Sequence, residues 1–332
     1  MFKNMMVSIA LTLVSGSLLA NEVAIAIHGG AGTITRANLS DEKAAEIIAT
    51  LEEAVTTGHK ALKDGEPSVK AIQKAIIILE DSPLFNAGRG AVFNYAGGHD
   101  LDASIMDGST LQAGAIAGVS NIKNPILLAF DVMTQSKHVM LSGKGAENFA
   151  QSLGYEFVPQ TYFATEFRRS AWERAMSKQQ KDTQARLVDL DIDYKFGTVG
   201  AVALDKNGNL AAGTSTGGMT AKRWGRIGDS PVIGAGTYAN NDSCAVSATG
   251  HGEFFIRYNV AADICARMEY GNKPLKQAAN EVIFDELLPA KGMGGVIAID
   301  NKGNVAMPFN TEGMYRASVD TKGTVTVAIY GL

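Results

Sequence analysis

One threonine stands where a loop leads into an apolar strand, and its surroundings suggest nucleophilic chemistry. Thr198 follows Gly197 and precedes Val199–Leu204, a run typical of a half-buried strand. Taken alone, it is most simply a β-branched residue that opens a strand. If the bond before it were cut, Thr198 would carry a free α-amine that can act as general base for its own hydroxyl. Such an amine has a pKa of about 7.7–8.0, which suits a base at neutral pH.

Two further groups of residues suit such a nucleophile. Thr216 and Thr249 also lie at the ends of predicted strands. Thr249 and Gly250 lead into a predicted helix, whose first amides lack helical partners and can stabilise an oxyanion. Arg226 and Asp229 share one loop, where a surface salt bridge is the simpler interpretation. The alternative is recognition of a zwitterion, with the guanidinium on an α-carboxylate and the carboxylate on an α-ammonium.

Two other motifs resemble known functional patterns. Gly213-Thr214-Ser215-Thr216-Gly217 fits the G-x-S-x-G motif of serine hydrolases, which needs a strand, a sharp turn and a helix. The residues that follow form a poor helix sequence, so this interpretation is disfavoured. His28-Gly29-Gly30-Ala31-Gly32 lacks the spacing of the phosphate-binding glycine loops.

The N-terminus differs from the rest of the 332-residue chain. Lys3 precedes an apolar stretch from Met5 to Leu19, which ends at the small residue Ala20. This pattern is typical of a secretory signal peptide over residues 1–20, and it is short for a membrane span, which needs about 20 apolar residues. We therefore expect a periplasmic or secreted protein without membrane association after signal removal. The net charge of −4, with no long basic run, argues against nucleic-acid binding.

The chain has two cysteines, Cys244 and Cys265. An exported protein can join such a pair in one disulfide. Because one lies in a predicted strand and the other in a predicted helix, we expect buried free thiols instead. The spacing of cysteines and histidines does not indicate a metal site.

Helix and strand patterns alternate along both halves of the chain. Ser40 is a candidate N-cap and Pro67 precedes a helical pattern, and hairpin turns are predicted at residues 205–209 and 300–304. Such hairpins beside separate helices predict an α+β fold with antiparallel sheets covered by helices. The polar residues 160–193 are expected to form a mobile surface segment that gives access to a cleavage site. Helices are predicted at residues 41–62, 68–79, 253–270 and 275–288, and strands at 23–27, 101–106, 113–119, 199–204, 210–214, 232–238, 245–248, 295–300, 305–309, 314–318 and 325–330.

A series of motifs occurs in order along residues 21–332. They are Ile27-His28-Gly29-Gly30-Ala31-Gly32, Phe85-Asn86-Ala87-Gly88, Leu101-Asp102-Ala103-Ser104-Ile105-Met106-Asp107-Gly108, Gly197-Thr198-Val199-Gly200-Ala201-Val202-Ala203-Leu204-Asp205, Thr214-Ser215-Thr216-Gly217-Gly218, Gly225-Arg226-Ile227-Gly228-Asp229-Ser230-Pro231, Thr249-Gly250-His251-Gly252-Glu253 and Asn310-Thr311-Glu312-Gly313-Met314. Together they resemble the plant-type (type III) L-asparaginase and isoaspartyl peptidase family of N-terminal nucleophile hydrolases.

The resemblance implies a four-layer αββα sandwich that cleaves itself at Gly197-Thr198. A single domain of residues 21–332 would then yield an α subunit of residues 21–197 and a β subunit of residues 198–332. Two such units would associate as an (αβ)2 heterotetramer.

The resemblance also implies a role for each site residue. Thr198 is the expected nucleophile and Thr216 its hydrogen-bonding partner, with Asn86 nearby. Thr249 and Gly250 would form the oxyanion hole. The residues expected around the substrate are Arg226, Asp229, Gly250 and Gly252.

No cofactor is expected for catalysis. The loop of residues 79–89 matches one in the family that binds a structural sodium ion through backbone carbonyls. The expected ligands are the carbonyls of Leu79, Glu80, Ser82, Phe85, Ala87 and Arg89.

The expected substrates are β-aspartyl dipeptides and L-asparagine. The near alternative is glycosylasparagine hydrolysis, but the related aspartylglucosaminidases usually carry an aspartate where this chain has Gly197. An uncleaved binding protein without activity is a third interpretation.

Overall fold

A computed structural model describes residues 22–181 and 197–331 of the chain. The expected signal peptide and the end of the polar segment lie outside these residues. Within them, none of the helices is long and apolar enough to cross a membrane.

The described chain alternates between strands and helices in both halves. The strands are β1 (Ala24–Gly32), β2 (Leu101–Asp107), β3 (Ala113–Val119), β4 (Met140–Ser142), β5 (Val199–Leu204), β6 (Leu210–Thr216), β7 (Thr237–Ala239), β8 (Cys244–Gly250), β9 (Gly294–Asp300), β10 (Val305–Ala306), β11 (Gly313–Val319) and β12 (Val325–Tyr330). The helices are α1 (Asp41–Lys63), α2 (Ser68–Asp81), α3 (Pro125–Gln135), α4 (Gly143–Ser152), α5 (Glu166–Lys181), α6 (Gly252–Arg257), α7 (Val260–Glu269) and α8 (Leu275–Asn280).

The strands form two sheets that pack face to face. The larger has the order β12-β11-β1-β5-β6-β2-β3-β4 and the smaller β10-β9-β8-β7. The pairs are antiparallel except β3 with β4. One apolar core lies between the larger sheet and α1–α3, a second between the sheets, and a third between the smaller sheet and α6–α8. These layers confirm the predicted αββα sandwich.

Helix ends in the first half agree closely with the sequence signals. The Ser40 hydroxyl accepts the Lys43 amide at 3.2 Å, which satisfies one of the amides at the start of α1. Pro67 precedes α2, where its fixed φ suits the start of a helix. These local signals act within one turn, so the sequence alone was enough to find them.

In the second half of the chain, two predicted helices are interrupted and one predicted strand is shorter than expected. The helix expected over residues 253–270 is divided between α6 and α7 at Asn259, which has φ 51°, a left-handed conformation that asparagine tolerates. The helix expected over 275–288 becomes a π-helical turn at Glu281–Leu287. The strand expected over 232–238 shrinks to β7, because Gly234 (φ 93°) and the Ala235 amide, bonded to Val232 O at 3.0 Å, form a turn.

The polar segment is partly ordered, which corrects the expectation of a mobile surface. Residues 166–181 form α5. Its Trp172 indole donates to the Asn94 carbonyl at 2.8 Å, and Arg168 is buried. Because the segment is highly charged, its sequence did not indicate that Trp172 and Arg168 face the protein interior.

The two cysteines are bonded to each other, so the expectation of free thiols is wrong. Cys244 begins β8 and Cys265 lies in α7, which packs on that strand. This packing brings their Cα atoms to 5.3 Å, within the range that a disulfide needs. The sequence could not supply this distance.

Candidate active site

Thr198 lies directly before the central strand β5, and its hydroxyl contacts that of Thr216. The two Oγ1 atoms are 2.9 Å apart. β5 pairs antiparallel with β6, with Val199 opposite Ser215, so Thr198 and Thr216 form the next pair. Directly opposite residues present their side chains on the same face. Strand register therefore brings two hydroxyls together that are far apart in the sequence.

Thr216 is itself oriented by the turn that follows it. Its Oγ1 accepts the Gly218 amide at 3.0 Å. A hydroxyl has one hydrogen and two lone pairs, so this contact leaves its hydrogen available for Thr198. Thr216 can thus stabilise negative charge that develops on the Thr198 oxygen.

The carbonyl before Thr198 is held by Asn86. The backbone amide of Asn86 donates to the Gly197 carbonyl oxygen at 2.8 Å. A Cβ on Gly197 would lie 2.8 Å from both the Cβ and the nitrogen of Asn86, so this approach requires glycine. The Asn86 side chain donates to Gly218 O at 2.7 Å and accepts the Val92 amide at 2.9 Å. One residue therefore links the Gly197–Thr198 bond to the turn beyond Thr216.

His28 holds the other side of Thr198. Its Nδ1 lies 2.9 Å from the Thr198 carbonyl oxygen and its Nε2 lies 3.0 Å from Ser247 Oγ. Burial lowers the pKa of His28 to about 3, against the opposing effect of the bond to Thr198, so the ring is neutral at physiological pH. Because a carbonyl only accepts, Nδ1 carries the hydrogen. Nε2 then accepts the hydroxyl hydrogen of Ser247.

A buried row of hydroxyls continues from His28 between the sheets. Ser247 Oγ is 2.7 Å from Thr214 Oγ1, which accepts from Thr237 at 2.6 Å. Ser104 Oγ lies 2.8 Å from Thr237 Oγ1 and 2.6 Å from the Ser230 carbonyl. Buried polar groups of this kind are held by their mutual bonds. The row connects the Thr198 backbone to the loop that carries Asp229.

Thr249 and Gly250 end β8 on the smaller sheet. Thr249 is fully buried, and its Oγ1 accepts the Ala31 amide of β1 at 3.3 Å. The accepted bond leaves the Thr249 hydrogen to be donated to another oxygen. Gly250 leads through His251 into α6. The Thr249 hydroxyl thus faces β1, the strand that also carries His28.

Arg226 and Asp229 meet at Gly252 rather than at the protein surface. A Cβ on Gly252 would lie 2.8 Å from Arg226 Nη2 and 2.9 Å from Asp229 Oδ1. Arg226 forms a bidentate pair with Glu253, with both N–O distances 2.9 Å. The salt bridge of Arg226 is therefore with Glu253, and the predicted surface salt bridge between Arg226 and Asp229 is absent from the described residues. Glycine at this position leaves both charged groups beside the same backbone.

Asp229 is a buried carboxyl whose charge is not compensated by a direct partner. It is 5% exposed, and its Oδ2 has no hydrogen-bond partner among the described residues. Burial raises its pKa to about 7, against the attraction of Arg226. A cationic group placed beside it would restore its ionisation. This is the property expected of a carboxylate that binds an α-ammonium.

The serine-hydrolase alternative fails on geometry. Ser215 donates to Glu80 Oε1 at 2.6 Å, which also accepts the Ile126 amide at 3.0 Å. Ser215 thus faces α2, on the opposite side of β6 from Thr216. Burial raises the pKa of Glu80 to about 8. An irregular stretch at Gly217 and Gly218, followed by a turn at Thr220 and Ala221, comes after the strand in place of a helix.

The candidate sodium loop begins in the last turn of α2, which contains Leu79 and Glu80. The Leu79 carbonyl would accept a helical bond from residue 83. That residue is Pro83, which has no N–H, so the carbonyl oxygen of Leu79 is left without its helical partner. The Glu80 carbonyl packs against Gly88 and the Phe85 carbonyl against Gly90. Arg89 is exposed, which is compatible with backbone rather than side-chain ligands. The donor set offers the oxygen atoms that hard cations prefer. Among the described residues, no group of three or more His, Cys, Asp or Glu side chains could hold a metal ion.

Several contacts were beyond the reach of sequence reasoning. His28 belongs to a glycine motif, and only its pairing with Thr198 gives it a place in the site. Glu253 directly follows Gly252, but its bond to Arg226 spans 27 positions. Arg168 lies in the polar segment and still reaches Gly197. One indication that Arg168 is buried was present in the sequence: it follows the aromatic residues Tyr162, Phe163 and Phe167.

Comparison with known proteins agrees with this geometry. The family model described as asparaginase matches residues 21–329. An isoaspartyl peptidase of Escherichia coli (strain K12) is 52% identical over 311 residues, which cover 92% of this chain and 95% of the relative. An isoaspartyl peptidase of Salmonella typhimurium is 51% identical over 310 residues, covering 93% and 99%. An isoaspartyl peptidase/L-asparaginase of Mus musculus is 40% identical over 295 residues, covering 89% and 87%.

The match extends through every motif that forms the site around Thr198, from β1 to the start of β11. The four-layer fold and the paired threonines agree with it. This chain belongs to the asparaginase family.

Proposed function

We propose that this protein is an isoaspartyl peptidase and L-asparaginase with Thr198 as nucleophile. It hydrolyses β-aspartyl dipeptides and L-asparagine. The observation that carries the proposal is the 2.9 Å contact between the Thr198 and Thr216 hydroxyls, directly after a glycine carbonyl held by the Asn86 amide. The relatives described as isoaspartyl peptidases support the substrate class.

Activation begins with cleavage of the Gly197–Thr198 bond. The Thr198 hydroxyl attacks the Gly197 carbonyl carbon, the C–N bond breaks, and the proton passes to the freed amine. Water then hydrolyses the ester between Gly197 and the Thr198 oxygen. The Asn86 amide, 2.8 Å from the Gly197 oxygen, stabilises the charge on that oxygen in the transition state. The products are an α subunit of residues 21–197 and a β subunit of residues 198–332.

In the mature enzyme, the α-amine of Thr198 takes the proton of its own hydroxyl. The oxygen attacks the β-carbonyl carbon of the aspartyl group. Thr249 and the Gly250 amide donate to the oxyanion, each contributing roughly 2.7–4 kcal/mol. An amino acid or ammonia leaves with the proton, and water hydrolyses the aspartyl ester. Thr216 tunes the nucleophile through its hydroxyl.

Substrate recognition rests on the charges that meet at Gly252. Arg226 binds the α-carboxylate. Its guanidinium is already oriented by two bonds to the Glu253 carboxylate, with both N–O distances 2.9 Å. Asp229 binds the α-ammonium, which supplies the cation that its buried carboxyl lacks. β-Aspartyl dipeptides and L-asparagine share this zwitterionic group, so one clamp serves both.

The glycosylasparaginase alternative is less well supported. A Cβ at position 197 would lie 2.8 Å from the Cβ and nitrogen of Asn86, so an aspartate there would require the loop to move. The Gly197 carbonyl held by Asn86 and the contact between the Thr198 and Thr216 hydroxyls favour an enzyme over a binding protein without activity.

The decisive test combines a denaturing gel with kinetics. We expect two bands from the purified protein, and turnover of β-Asp-Leu and L-asparagine. Thr198→Ala should remain a single band without activity. Full activity from a chain that stays uncut on long incubation would refute the proposal. Faster turnover of a glycosylasparagine than of β-Asp-Leu would favour the alternative.

We further propose export, self-association and a structural sodium. The Cys244–Cys265 disulfide suits an oxidising compartment, and it supports the signal peptide that the first 20 residues resemble. N-terminal sequencing of protein from the periplasmic fraction tests the cut after Ala20. Light scattering tests the (αβ)2 assembly. The carbonyls of the loop at residues 79–89 would hold the sodium ion.

A further inference from the structure

Arg168 is a buried cation beside Gly197. It lies in α5 and is 5% exposed, and its Nε donates to the Gly90 carbonyl at 2.8 Å. Its Nη2 lies 3.2 Å from the position that a Cβ would take on Gly197. The guanidinium therefore lies against the residue that would end the α subunit.

The charge of Arg168 has no counter-ion among the described residues. Its aromatic neighbours are the Phe167 ring, 5.4 Å from the guanidinium, and Tyr315. Burial raises the pKa of Tyr315 to about 12, so that phenol is neutral. Burial lowers the pKa of Arg168 to about 10, which leaves it charged at neutral pH. A buried charge without a partner is strongly unfavourable. An anion bound beside the Arg168 guanidinium would therefore be stabilised.

Arg168 and Gly197 both line one cavity of about 490 Å³. Tyr315, Thr165 and Leu84 form other parts of its wall. Because Nε is taken by Gly90, the two terminal nitrogens of Arg168 remain for a ligand in this cavity. The geometry suits a carboxylate, which the guanidinium can bind with two parallel bonds.

We propose that Arg168 binds the carboxylate that cleavage creates on Gly197. This rests on the proposed cleavage at Gly197-Thr198. When water hydrolyses the Gly197 ester, its oxygen bonds to the Gly197 carbonyl carbon and the C–O bond to Thr198 breaks. The Thr198 oxygen takes one proton from that water, the other proton is released to solvent, and Gly197 becomes a carboxylate. One oxygen inherits the bond to the Asn86 amide. The new negative charge pairs with Arg168, and the pair anchors the end of the α subunit.

A double-mutant cycle tests the pairing. Arg168→Met is made both in the cleaving protein and in the uncleaved Thr198→Ala variant, with the exposed neighbour Arg169→Met as control. In cleaved protein we expect Arg168→Met to lower the Tm by about 5 °C, because it leaves a buried carboxylate unpaired. In the uncleaved background it should lower the Tm by much less, because no carboxylate exists there and only the Nε bond to the Gly90 carbonyl is lost. Arg169→Met should behave alike in both.

A direct measurement supplements the cycle in case the Arg168 variants fold poorly. Protein labelled with ¹³C at glycine carbonyls reports the titration of the Gly197 carboxyl by NMR. We expect its pKa below the ordinary C-terminal range of about 3.3–3.7. Arg168→Lys should keep much of this lowering, since it keeps the charge.

The outcomes separate this proposal from the proposed function. A chain that shows one full-length band refutes the cleavage, and the carboxylate site with it. Cleaved protein in which Arg168→Met costs equal stability in both backgrounds overturns the carboxylate site alone. An ordinary Gly197 pKa in cleaved protein would do the same, and in both cases the enzyme assignment stands.

Discussion

The Nδ1 of His28 donates to the carbonyl of Thr198 at 2.9 Å. Once the proposed cleavage has occurred, Thr198 would have no preceding residue to fix its backbone. Two side chains would then hold it: His28, through the bond to its backbone carbonyl, and Thr216, through the hydroxyl contact at 2.9 Å. His28 would therefore position the proposed nucleophile without touching the reacting bond.

Substitutions of His28 should separate kcat from KM. Asparagine places an amide near the position of Nδ1 and should retain most of the activity. Leucine removes the donor, and we expect kcat to fall about 100-fold because small misplacements of a nucleophile are costly. KM should change little, since Arg226 and Asp229 are untouched. Steady-state kinetics with β-Asp-Leu measure both constants. Equal losses from the asparagine and leucine variants would argue for a purely structural histidine.

Thr216→Val should impair both cleavage and turnover. Valine keeps the shape of threonine but removes the hydroxyl 2.9 Å from Thr198. A lost hydrogen bond of this type costs about 10²–10³-fold in rate. Thr216→Ser is the matched control and should retain most of both rates. Cleavage is timed on denaturing gels and turnover by release of leucine. Wild-type rates in the valine variant would remove Thr216 from the mechanism.

Ligand binding should weaken in acid because of Asp229. The burial that raises its pKa to about 7 means that the carboxyl of the free enzyme becomes neutral below that pH. A neutral carboxyl attracts an α-ammonium less, so the affinity for L-aspartate should fall as the pH drops from 8 to 6. Calorimetric titration measures this. Asp229→Asn should bind more weakly and show a flatter pH dependence, and an unchanged slope would contradict this assignment.

The same pKa shift predicts the sign of a stability change. The folded pKa of Asp229 lies above its ordinary value of 3.8, so the folded state binds the proton more tightly than the unfolded state. Stability from this group is complete below about pH 3.8, and is lost as the pH rises through about 7. Asp229→Asn should therefore raise Tm more at pH 8 than at pH 4. Thermal scans at both values decide this, with Asp242→Asn as an exposed control.

Loss of the disulfide should lower stability but leave the site intact. The bond closes a segment with a sequence separation of 21 residues, for which chain entropy predicts roughly 3 kcal/mol. Cys244→Ala combined with Cys265→Ala should lose about this free energy of unfolding, measured in urea. Activity at 25 °C should persist, since neither residue contacts Thr198. Dithiothreitol should destabilise the wild type and leave the double variant unchanged.

Sodium should stabilise the protein selectively. An ion bound to the folded state alone raises the Tm with its concentration. We expect a higher Tm in sodium chloride than in choline chloride at equal ionic strength. Equal values in the two salts would argue against an ion in the loop at residues 79–89.

Local signals explain the parts of the fold that the sequence predicted. The Ser40 cap and Pro67 define the starts of α1 and α2, because capping acts within one helical turn. The break at Asn259 and the order in α5 depend on neighbours distant in the sequence. They were therefore missed by patterns that report only nearby residues.

By itself, the sequence determined the family, the αββα class and the motifs that carry Thr198, Thr216 and Thr249. Those residues lie in contiguous segments whose residue types carry the chemistry. Only the tertiary structure decided that His28 holds Thr198, that Glu253 binds Arg226, and that Cys244 is bonded to Cys265. Each of these contacts joins different strands, loops or helices. Distances of about 3 Å between such elements depend on sheet register and layer packing, which are collective properties of the folded chain.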